Sequence, residues 1–436
     1  MEKNKSKDVE GSLLCDIEEK PPLPTTILLA FQHIVTAFGG IVAVPLVVGS
    51  ALGLSLSEIA FLVSATILVS GIATFIQARG VGPIGNKLPI VMGTDFTFVA
   101  PSIAVGSGMG LGVAGIVGAT IAGSFIEIIL SKFIKPLLKY FPPVVTGTVV
   151  TLIGTTLLPV SMQWAAGGVG APDYGSLQNL AISIAVLLII LFVNHYGRGI
   201  VGSASILIGI FAGYLISWPL GLLDFQAIID ASWFSLPQIF KFGITFSWPA
   251  LLAFIPAYLV TSIETVGVTL AVEDTCQVEN SQDRVSKGLL ADGVGSFIAG
   301  FFGSGANTSF SQNVGLIPLT RVASRHVVVA AGVILFLLGL FPKFATLIAI
   351  MPDPVLGGAG IVMFGTVAAS GIRTLGSVKF SNRNLLIMAV SIGLGLGVTF
   401  EPQYFANLPE ILQSVFSSGI STGTIVAFSL NLLLKE

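Results

Sequence analysis

The sequence predicts an all-α integral membrane protein with 14 transmembrane segments arranged as two inverted repeats of seven. Of its 436 residues 53% are hydrophobic and only 10% are charged, whereas soluble proteins carry about a quarter charged residues. Apolar runs of about 20 residues, the length that crosses a bilayer, recur along the whole chain. The net charge of −2 gives no indication of a nucleic-acid partner.

The predicted spans follow one another from near the N-terminus to the last residues. A polar, mixed-charge segment (1–25) precedes them and predicts a cytoplasmic tail rather than an apolar signal sequence. The spans cover 29–49, 57–77, 84–104, 109–131, 143–160, 179–194, 200–218, 247–271, 286–302, 308–319, 326–342, 354–371, 384–400 and 415–434.

The distribution of Lys and Arg supports this order of spans, because basic residues gather in cytoplasmic loops. With both termini in the cytoplasm, 18 of the 20 basic residues fall on the cytoplasmic side, and only Lys241 and Lys343 fall on the other. We therefore predict a multi-pass protein of the cell (inner) membrane. Cys15 and Cys276 fall in predicted cytoplasmic segments and indicate no disulfide framework.

Two similar stretches indicate the inverted repeat. The sequence PVVTG, from Pro143, opens the fifth span, and PVLGG, from Pro354, opens the twelfth. Because seven spans separate them, the two halves have opposite orientations in the membrane. Inverted repeats of this kind are typical of transporters.

The third and tenth spans are interrupted at corresponding places in the two halves. Residues 84–101 (IGNKLPIVMGTDFTFVAP) and Asn307–Arg321 (NTSFSQNVGLIPLTR) are both polar and broken by Gly and Pro. Irregular backbone survives at membrane depth only where protein or a water-filled cavity surrounds it. We therefore predict two short half-spans that meet at the bilayer centre and form the substrate site.

Few ionisable or strongly polar residues lie inside the predicted spans, and each is a functional candidate because burial of such a group is costly. Glu264, in the middle of the eighth span, is the strongest. Asp292 lies near a helix start, where a local anchor explains it equally well, and Glu127, far from any helix breaker, is interpreted as structural. The set is Asp95, Glu127, Glu264, Asp292, Gln32 and His33.

The candidate side chains suit a flat heteroaromatic ligand. Gln312 offers one acceptor and two donors, and an ionised Glu264 offers acceptors only. Phe96 and Phe98, beside the breakers of the third span, could supply an aromatic face. Lys and Arg are absent from the predicted centre, which argues against sulfate, phosphate or bicarbonate as substrate.

Several motifs resemble one known family. QNVGLIPLTR, Gln312–Arg321, resembles the signature of the nucleobase–ascorbate transporters. Gln32 and His33 match the QH pair of that family's first span, and SIETVG, Ser262–Gly267, matches its eighth-span element. PDPVLGGAGIVMFGTVAASGIR, Pro352–Arg373, is similar to the bacterial xanthine and uric acid permease branch. The resemblance covers nearly the whole chain.

The resemblance implies a fold with a core domain and a gate domain. Short antiparallel strands in spans 3 and 10 would hold the substrate, and two copies would form a homodimer through their gate domains. The implied divisions are a tail at 1–25, core segments at 26–140 and 241–345, and gate segments at 141–240 and 346–436.

The resemblance also implies roles at the site. Glu264 and Gln312 would hydrogen-bond the base, Phe96 would stack on it, and Asn313 and His33 would support them. Uracil-type members usually place Glu where Gln312 stands, so the glutamine favours a purine substrate.

The sequence departs from the family pattern at two positions. Val268 stands where many members have Asp or His, and Asp95 stands where relatives have Asn, Ser or Thr. Asp95 could change which purine fits, or it could replace the missing proton acceptor, and both readings stay open. The predicted substrate-binding residues are thus Glu264, Gln312, Phe96, Asp95, Asn313 and His33, and the predicted coupling residues are Glu264, Asp292 and Asp95.

The predicted function is secondary active import of xanthine, uric acid or a related oxopurine, coupled to protons by alternating access. The alternatives are a sodium-coupled purine or uracil transporter and a passive nucleobase channel. An embedded enzyme is disfavoured because no HExxH, GxSxG or paired metal-ligand pattern is present. No cofactor or metal is expected besides the coupling proton or sodium ion.

Overall fold

The computed structural model describes residues 13–138, 142–416 and 418–434, and most of this part of the chain is helical. Two short strands interrupt the helices, β1 (Met92–Thr94) and β2 (Asn307–Ser309). The helices are α1 (Leu23–Ala51), α2 (Leu56–Arg79), α3 (Val99–Ile103), α4 (Gly112–Leu138), α5 (Pro143–Ala165), α6 (Leu177–Tyr196), α7 (Ile200–Ser203), α8 (Ser205–Ser217), α9 (Phe225–Asp230), α10 (Trp248–Thr275), α11 (Gln282–Phe301), α12 (Leu316–Thr320), α13 (Arg325–Leu338), α14 (Pro342–Ala349), α15 (Asp353–Gly376), α16 (Asn382–Phe400), α17 (Glu410–Phe416) and α18 (Gly419–Leu433).

Helix boundaries follow local sequence signals. α2 begins with a capping box, in which the Ser55 hydroxyl accepts from the Glu58 N–H at 3.4 Å and the Glu58 carboxylate accepts from the Ser55 N–H at 2.8 Å. It ends at Arg79 and is followed by Gly80, whose φ of 75° favours glycine. α1, α5, α10 and α15 each carry Pro in their first turn, where the missing N–H costs no intrahelical hydrogen bond.

The helical membrane fold predicted from the sequence is confirmed. Among the described residues, eight helices are long and apolar enough to cross a bilayer, or nine if α13 and α14, bent by 85° at their junction, form one span. The other predicted spans correspond to shorter helices, to the two strand segments, or to α11, whose first turns carry charges. The total of 14 spans therefore stays a prediction.

The helices form two groups with extensive internal contacts. One contains α1, α2, α4, α10, α11 and α13, and the other contains α5, α6, α8, α15, α16 and α18. The core and gate domains implied by the resemblance, together with their boundaries, stay a prediction. The first group, with the strands, contains most of the candidate site residues.

The two helices that open the similar stretches of the repeat, α5 and α15, pack directly against each other. A Cβ atom on Gly154 would lie 2.2 Å from the backbone N of Ala368, and one on Gly357 would lie 2.1 Å from the backbone N of Ala165. Glycine is therefore required at both contacts, since real Cβ atoms do not approach backbone so closely. The close approach of the two helices thus explains the glycines at these two positions.

The strands β1 and β2 pair antiparallel, as the resemblance implied. Gly93 is opposite Thr308, with Met92 opposite Ser309 and Thr94 opposite Asn307. Each strand is followed by a 3₁₀ turn, Phe96–Phe98 or Ser311–Gly315, and then by a short helix. The strand pair therefore brings the two interrupted segments together, although more than 200 residues separate them in the sequence.

Gly357→Ala should destabilise the protein, whereas Gly365→Ala on the same helix should not. Both changes raise helix propensity equally, but only the first adds a methyl group against the α5 backbone; nothing lies within 4 Å of a Cβ at Gly365. Overpacking of this kind costs roughly 1–3 kcal/mol. Thermal unfolding in detergent should show a lower Tm for Gly357→Ala, and equal Tm values for the two variants would contradict the contact.

Candidate functional site

Glu264 lies near the middle of α10, beside both interrupted segments. α10 contacts β2 and both 3₁₀ turns, so this helix forms one wall of the region where the segments meet. The Glu264 side chain is half-buried, and no hydrogen bond or ion pair to it is found among the described residues. An acceptor in this position is available to a ligand.

Gln312 lies in the 3₁₀ turn that α10 contacts. Its side chain is exposed and, like Glu264, makes no side-chain hydrogen bond within the described part of the chain. The turn itself is anchored by the next residue. The Asn313 amide Nδ2 donates to the His33 carbonyl oxygen at 2.8 Å and lies 3.1 Å from His33 Nδ1.

Because the Asn313 Nδ2 group is a donor, the neighbouring His33 Nδ1 must act as the acceptor in this contact. That arrangement leaves the proton of a neutral imidazole on Nε2. His33 and Asn313 are both buried, and they join α1 to the turn that carries Gln312. Neither side chain is exposed, and their part in substrate binding stays a prediction.

Asp95 and Phe96 begin the other 3₁₀ turn. Asp95 Oδ1 accepts from the Thr97 N–H at 2.7 Å, which is a local capping bond. The Phe96 ring meets the ring of Phe364 on α15 edge-on, with centroids 5.1 Å apart and an interplanar angle of 89°. Phe96 is buried, with 6% of its surface exposed. Phe98 packs against Phe254 and Tyr258 in the core and is only 1% exposed. The expectation that Phe98 could face a ligand is therefore wrong.

Asp292 is fully buried and joins three elements. Its carboxylate accepts from the Thr265 hydroxyl on α10 and, at 3.2 Å, from the Ser309 hydroxyl on β2. Thr265 directly follows Glu264 in the chain. Asp292 therefore acts at least as an anchor between α11, α10 and the strand pair.

Glu127 on α4 is linked to the same face of α10. Its Oε1 accepts from the Thr261 hydroxyl at 2.7 Å, whereas Oε2 is buried without a partner in the described structure. The sequence predicts a structural role for Glu127, whereas the contacts of Thr261 and Thr265 were missed. The spacing of four residues between these threonines, which puts them on one helix face, is the signal that could have identified them.

Four carboxylates thus lie on α10 or on elements that contact it. Glu264 belongs to this helix, Glu127 and Asp292 accept from its threonines, and Asp95 begins a turn that it contacts. None of these four residues is in any of the three salt bridges of the described structure. Residues 13–138, 142–416 and 418–434 contain no group of three or more His, Cys, Asp or Glu side chains arranged to hold a metal ion.

Comparison with characterised sequences identifies relatives along almost the whole chain. A model of the Permease family matches residues 24–404. The uric acid transporter UacT of Escherichia coli K12 is 42% identical over 413 residues, which cover 94% of this chain and 86% of UacT. The xanthine permease of Bacillus subtilis 168 is 41% identical over 410 residues, which cover 94% of this chain and 93% of that protein.

Solved structures with a similar fold are much more distant in sequence. The transmembrane domain of the cyanobacterial bicarbonate transporter BicA has a TM-score of 0.63 at 14% identity, with 90% of this chain and 97% of that chain covered. The murine anion transporter Slc26a9, in an inward-facing state, has a TM-score of 0.64 at 11% identity, with 95% and 69% covered. At such identities the likeness concerns the fold alone. The family match and the sequence relatives show that the chain belongs to the nucleobase–ascorbate transporter family of membrane permeases.

Proposed function

We propose that this permease is a secondary active transporter that imports a purine nucleobase, such as xanthine, uric acid or a related oxopurine, together with protons. One observation carries the proposal: Glu264 and Gln312 lie on contacting elements, and neither has a side-chain partner within the described residues. A carboxylate and an amide together can pair with the N–H and C=O groups along the edge of an oxopurine.

The other predicted site residues fit roles around this pair. Phe96 stacks on the base, while Asn313 and His33 hold the Gln312 turn in place through their hydrogen bonds. Asp95, on the strand side, contributes a further acceptor. The site remains fixed in one helix bundle while the other bundle moves relative to it, which exposes the base to each side in turn.

Proton coupling is supported by the carboxylates inside the bundle. A charge removed from water needs a partner or a proton, and no Lys or Arg forms a salt bridge with Glu264, Asp292 or Asp95 in the described structure. Hydroxyl groups hold Asp292 on both oxygens. In this proposal the three carboxylates exchange the coupling proton. Asp95 supplies the proton acceptor that is missing at position 268, where this chain has Val268.

The arrangement in the cell completes the proposal. The protein lies in the inner membrane with both termini in the cytoplasm, and two copies associate through their gate domains. α6 and α16 could form the contact between the two copies, because the rest of the protein leaves most of their side chains uncovered. Only 28% of the span is buried in each of these helices, compared with 56% or more in the other spanning helices.

Glu264→Gln and Gln312→Ala should each reduce purine uptake roughly tenfold, because a polar group of the bound base loses its partner, which costs about 1–3 kcal/mol. Labelled xanthine and uric acid uptake into cells checks this, with immunoblots of the membrane fraction. Glu401→Gln and Gln403→Ala, exposed residues after α16, are matched controls. Normal uptake by either site variant would exclude the proposed site.

Asp292→Asn should separate binding from accumulation. The asparagine keeps the shape and can still accept from Thr265 or Ser309, but it cannot exchange a proton. We expect purine-dependent thermal stabilisation to persist, while accumulation driven by a proton gradient in vesicles falls at least tenfold.

Two controls assign the coupling ion. An uncoupler should abolish accumulation by the unsubstituted protein, and replacement of sodium at constant pH should leave it unchanged. If the Asp292→Asn variant accumulated purine against its gradient as strongly as the unsubstituted protein does, a role for Asp292 in proton coupling would be contradicted. Insensitivity of the unsubstituted protein to the uncoupler would favour a channel or a sodium-coupled carrier.

The purine preferred by this chain follows from a competition panel. The uric acid and xanthine transporters are equally similar, at 42% and 41% identity, so identity alone does not choose between them. We expect unlabelled oxopurines to compete with labelled xanthine and uracil not to compete, since Gln312 replaces the Glu of uracil-type members. Competition by uracil alone would contradict purine specificity.

A further inference from the structure

Residues 13–20, here called the N-terminal strap, lie along the loop between α12 and α13. Part of the segment that the sequence assigns to a cytoplasmic tail is therefore docked on the helix bundle. The Leu14 N–H donates to the Arg321 carbonyl oxygen at 2.7 Å, and the Ala323 N–H donates to the Cys15 carbonyl oxygen at 2.9 Å. These bonds form a parallel bridge in which Cys15 is opposite Val322.

Side chains continue this contact toward the start of α13. The Arg325 guanidinium donates to both carboxylate oxygens of Glu18, each at 2.8 Å, and the Ser324 hydroxyl donates to the Glu19 carbonyl oxygen at 2.5 Å. The hydrogen bonds from Arg325 hold the pKa of Glu18 below its ordinary value, so the pair is ionised at neutral pH. Arg325 also donates to the last carbonyls of α2.

The underside of the strap is apolar and covers the cytoplasmic ends of the site elements. Leu13 and Ile17 pack against a buried cluster, and Cys15 is only 7% exposed. The cluster draws on the segment before β1, on α10 beyond Glu264, and on α12 beyond Gln312. Its members are Leu88, Ile90, Val268, Val272, Cys276, Ile317 and Ala323.

The Gln312 segment depends on such external contacts. Its 3₁₀ turn and α12 have five residues each, and helical pieces this short are not stable by themselves. Asn313 holds one end of the segment through His33. At the other end the chain turns at Arg321, whose φ is 59°, and enters the loop that the strap covers.

We propose that the N-terminal strap positions the substrate site: it fixes the cytoplasmic end of α12 and thereby the distance between Gln312 and Glu264. This inference rests on the proposed function. The described hydrogen bonds and ion pair of the strap to other segments all reach the bundle that contains α2, α10 and α13. The strap therefore moves with that bundle and does not have to detach during transport.

Cys15 provides a direct measure of whether the strap is seated. Burial, together with the nearby carboxylates of Glu19 and Asp16, raises the pKa of the Cys15 thiol to about 11. Since the thiolate is the reactive form, a seated strap resists maleimide. The chain contains two cysteines, so Cys276→Ala leaves Cys15 as the single thiol to be labelled.

The test measures Cys15 labelling and purine uptake in full-length protein carrying Cys276→Ala. Glu18→Arg and Ile17→Asp should each raise the rate at which maleimide labels Cys15 about tenfold, because the thiol becomes exposed. The KM for purine should rise several-fold, because misplacement of a binding group weakens binding. The maximal transport rate and the amount of protein in the membrane should stay within about twofold of the parent protein. Lys20→Glu, an exposed charge reversal in the same strap, should leave both readings unchanged.

Two further variants sharpen the test. Glu18→Arg combined with Arg325→Glu should restore a low KM in part, because the ion pair is re-formed with its charges exchanged. Val322→Cys should form a disulfide with Cys15, since paired positions on adjacent strands lie within bonding range. The oxidised protein should transport purine with the KM of its reduced form.

Each opposite outcome overturns the inference. A reactive Cys15 with an unchanged KM would show that the strap does not position the site, and an unreactive Cys15 in both Glu18→Arg and Ile17→Asp would show that these contacts do not hold it. Loss of transport on oxidation of the Val322→Cys protein would show that the strap must detach. Absence of purine uptake by the unsubstituted protein would instead reject the proposed function.

Discussion

The structure depends on satisfying the backbone polar groups of two short strands inside a bilayer, where water cannot do so. In each strand one buried hydroxyl satisfies both backbone polar groups of one residue. Thr74 on α2 bonds both the N–H and the C=O of Met92, at 2.9 and 3.2 Å. Ser296 on α11 does the same for Asn307, at 3.0 and 3.2 Å. Because α2 and α11 are the second and ninth predicted spans, the same solution occurs once in each predicted repeat.

Hydroxyl groups also determine how the buried carboxylates are held. Thr261 and Thr265, on one face of α10, donate to Glu127 and Asp292 respectively. A basic partner would fix each carboxylate in its charged form, whereas a hydroxyl can bond it in either protonation state. The interior is therefore suited to groups that gain and lose a proton, and a permanent ion pair is not found there in the described residues.

Much of this arrangement could be predicted from the sequence, because breakers and polar residues in an apolar context are local signals. Gly93 and Gly315 marked the interrupted segments, and Glu264 was conspicuous in its span. The position of Phe98 in the core and the link from Glu127 to Thr261 could not be predicted in this way. Both features depend on which helices pack against each other although they are far apart in the sequence. No local sequence pattern shows which helices these are. The docking of the strap beside Val322 was missed for the same reason.

The edge-on contact between Phe96 and Phe364 has a mechanical consequence. Phe96 follows β1 in one helix bundle, whereas Phe364 belongs to α15 in the other. If the two bundles slide past each other, these two rings must move relative to each other as well. Phe96, which we propose stacks on the base, therefore also contacts the bundle that would move, so base binding and movement of the bundles would both act on this pair of rings.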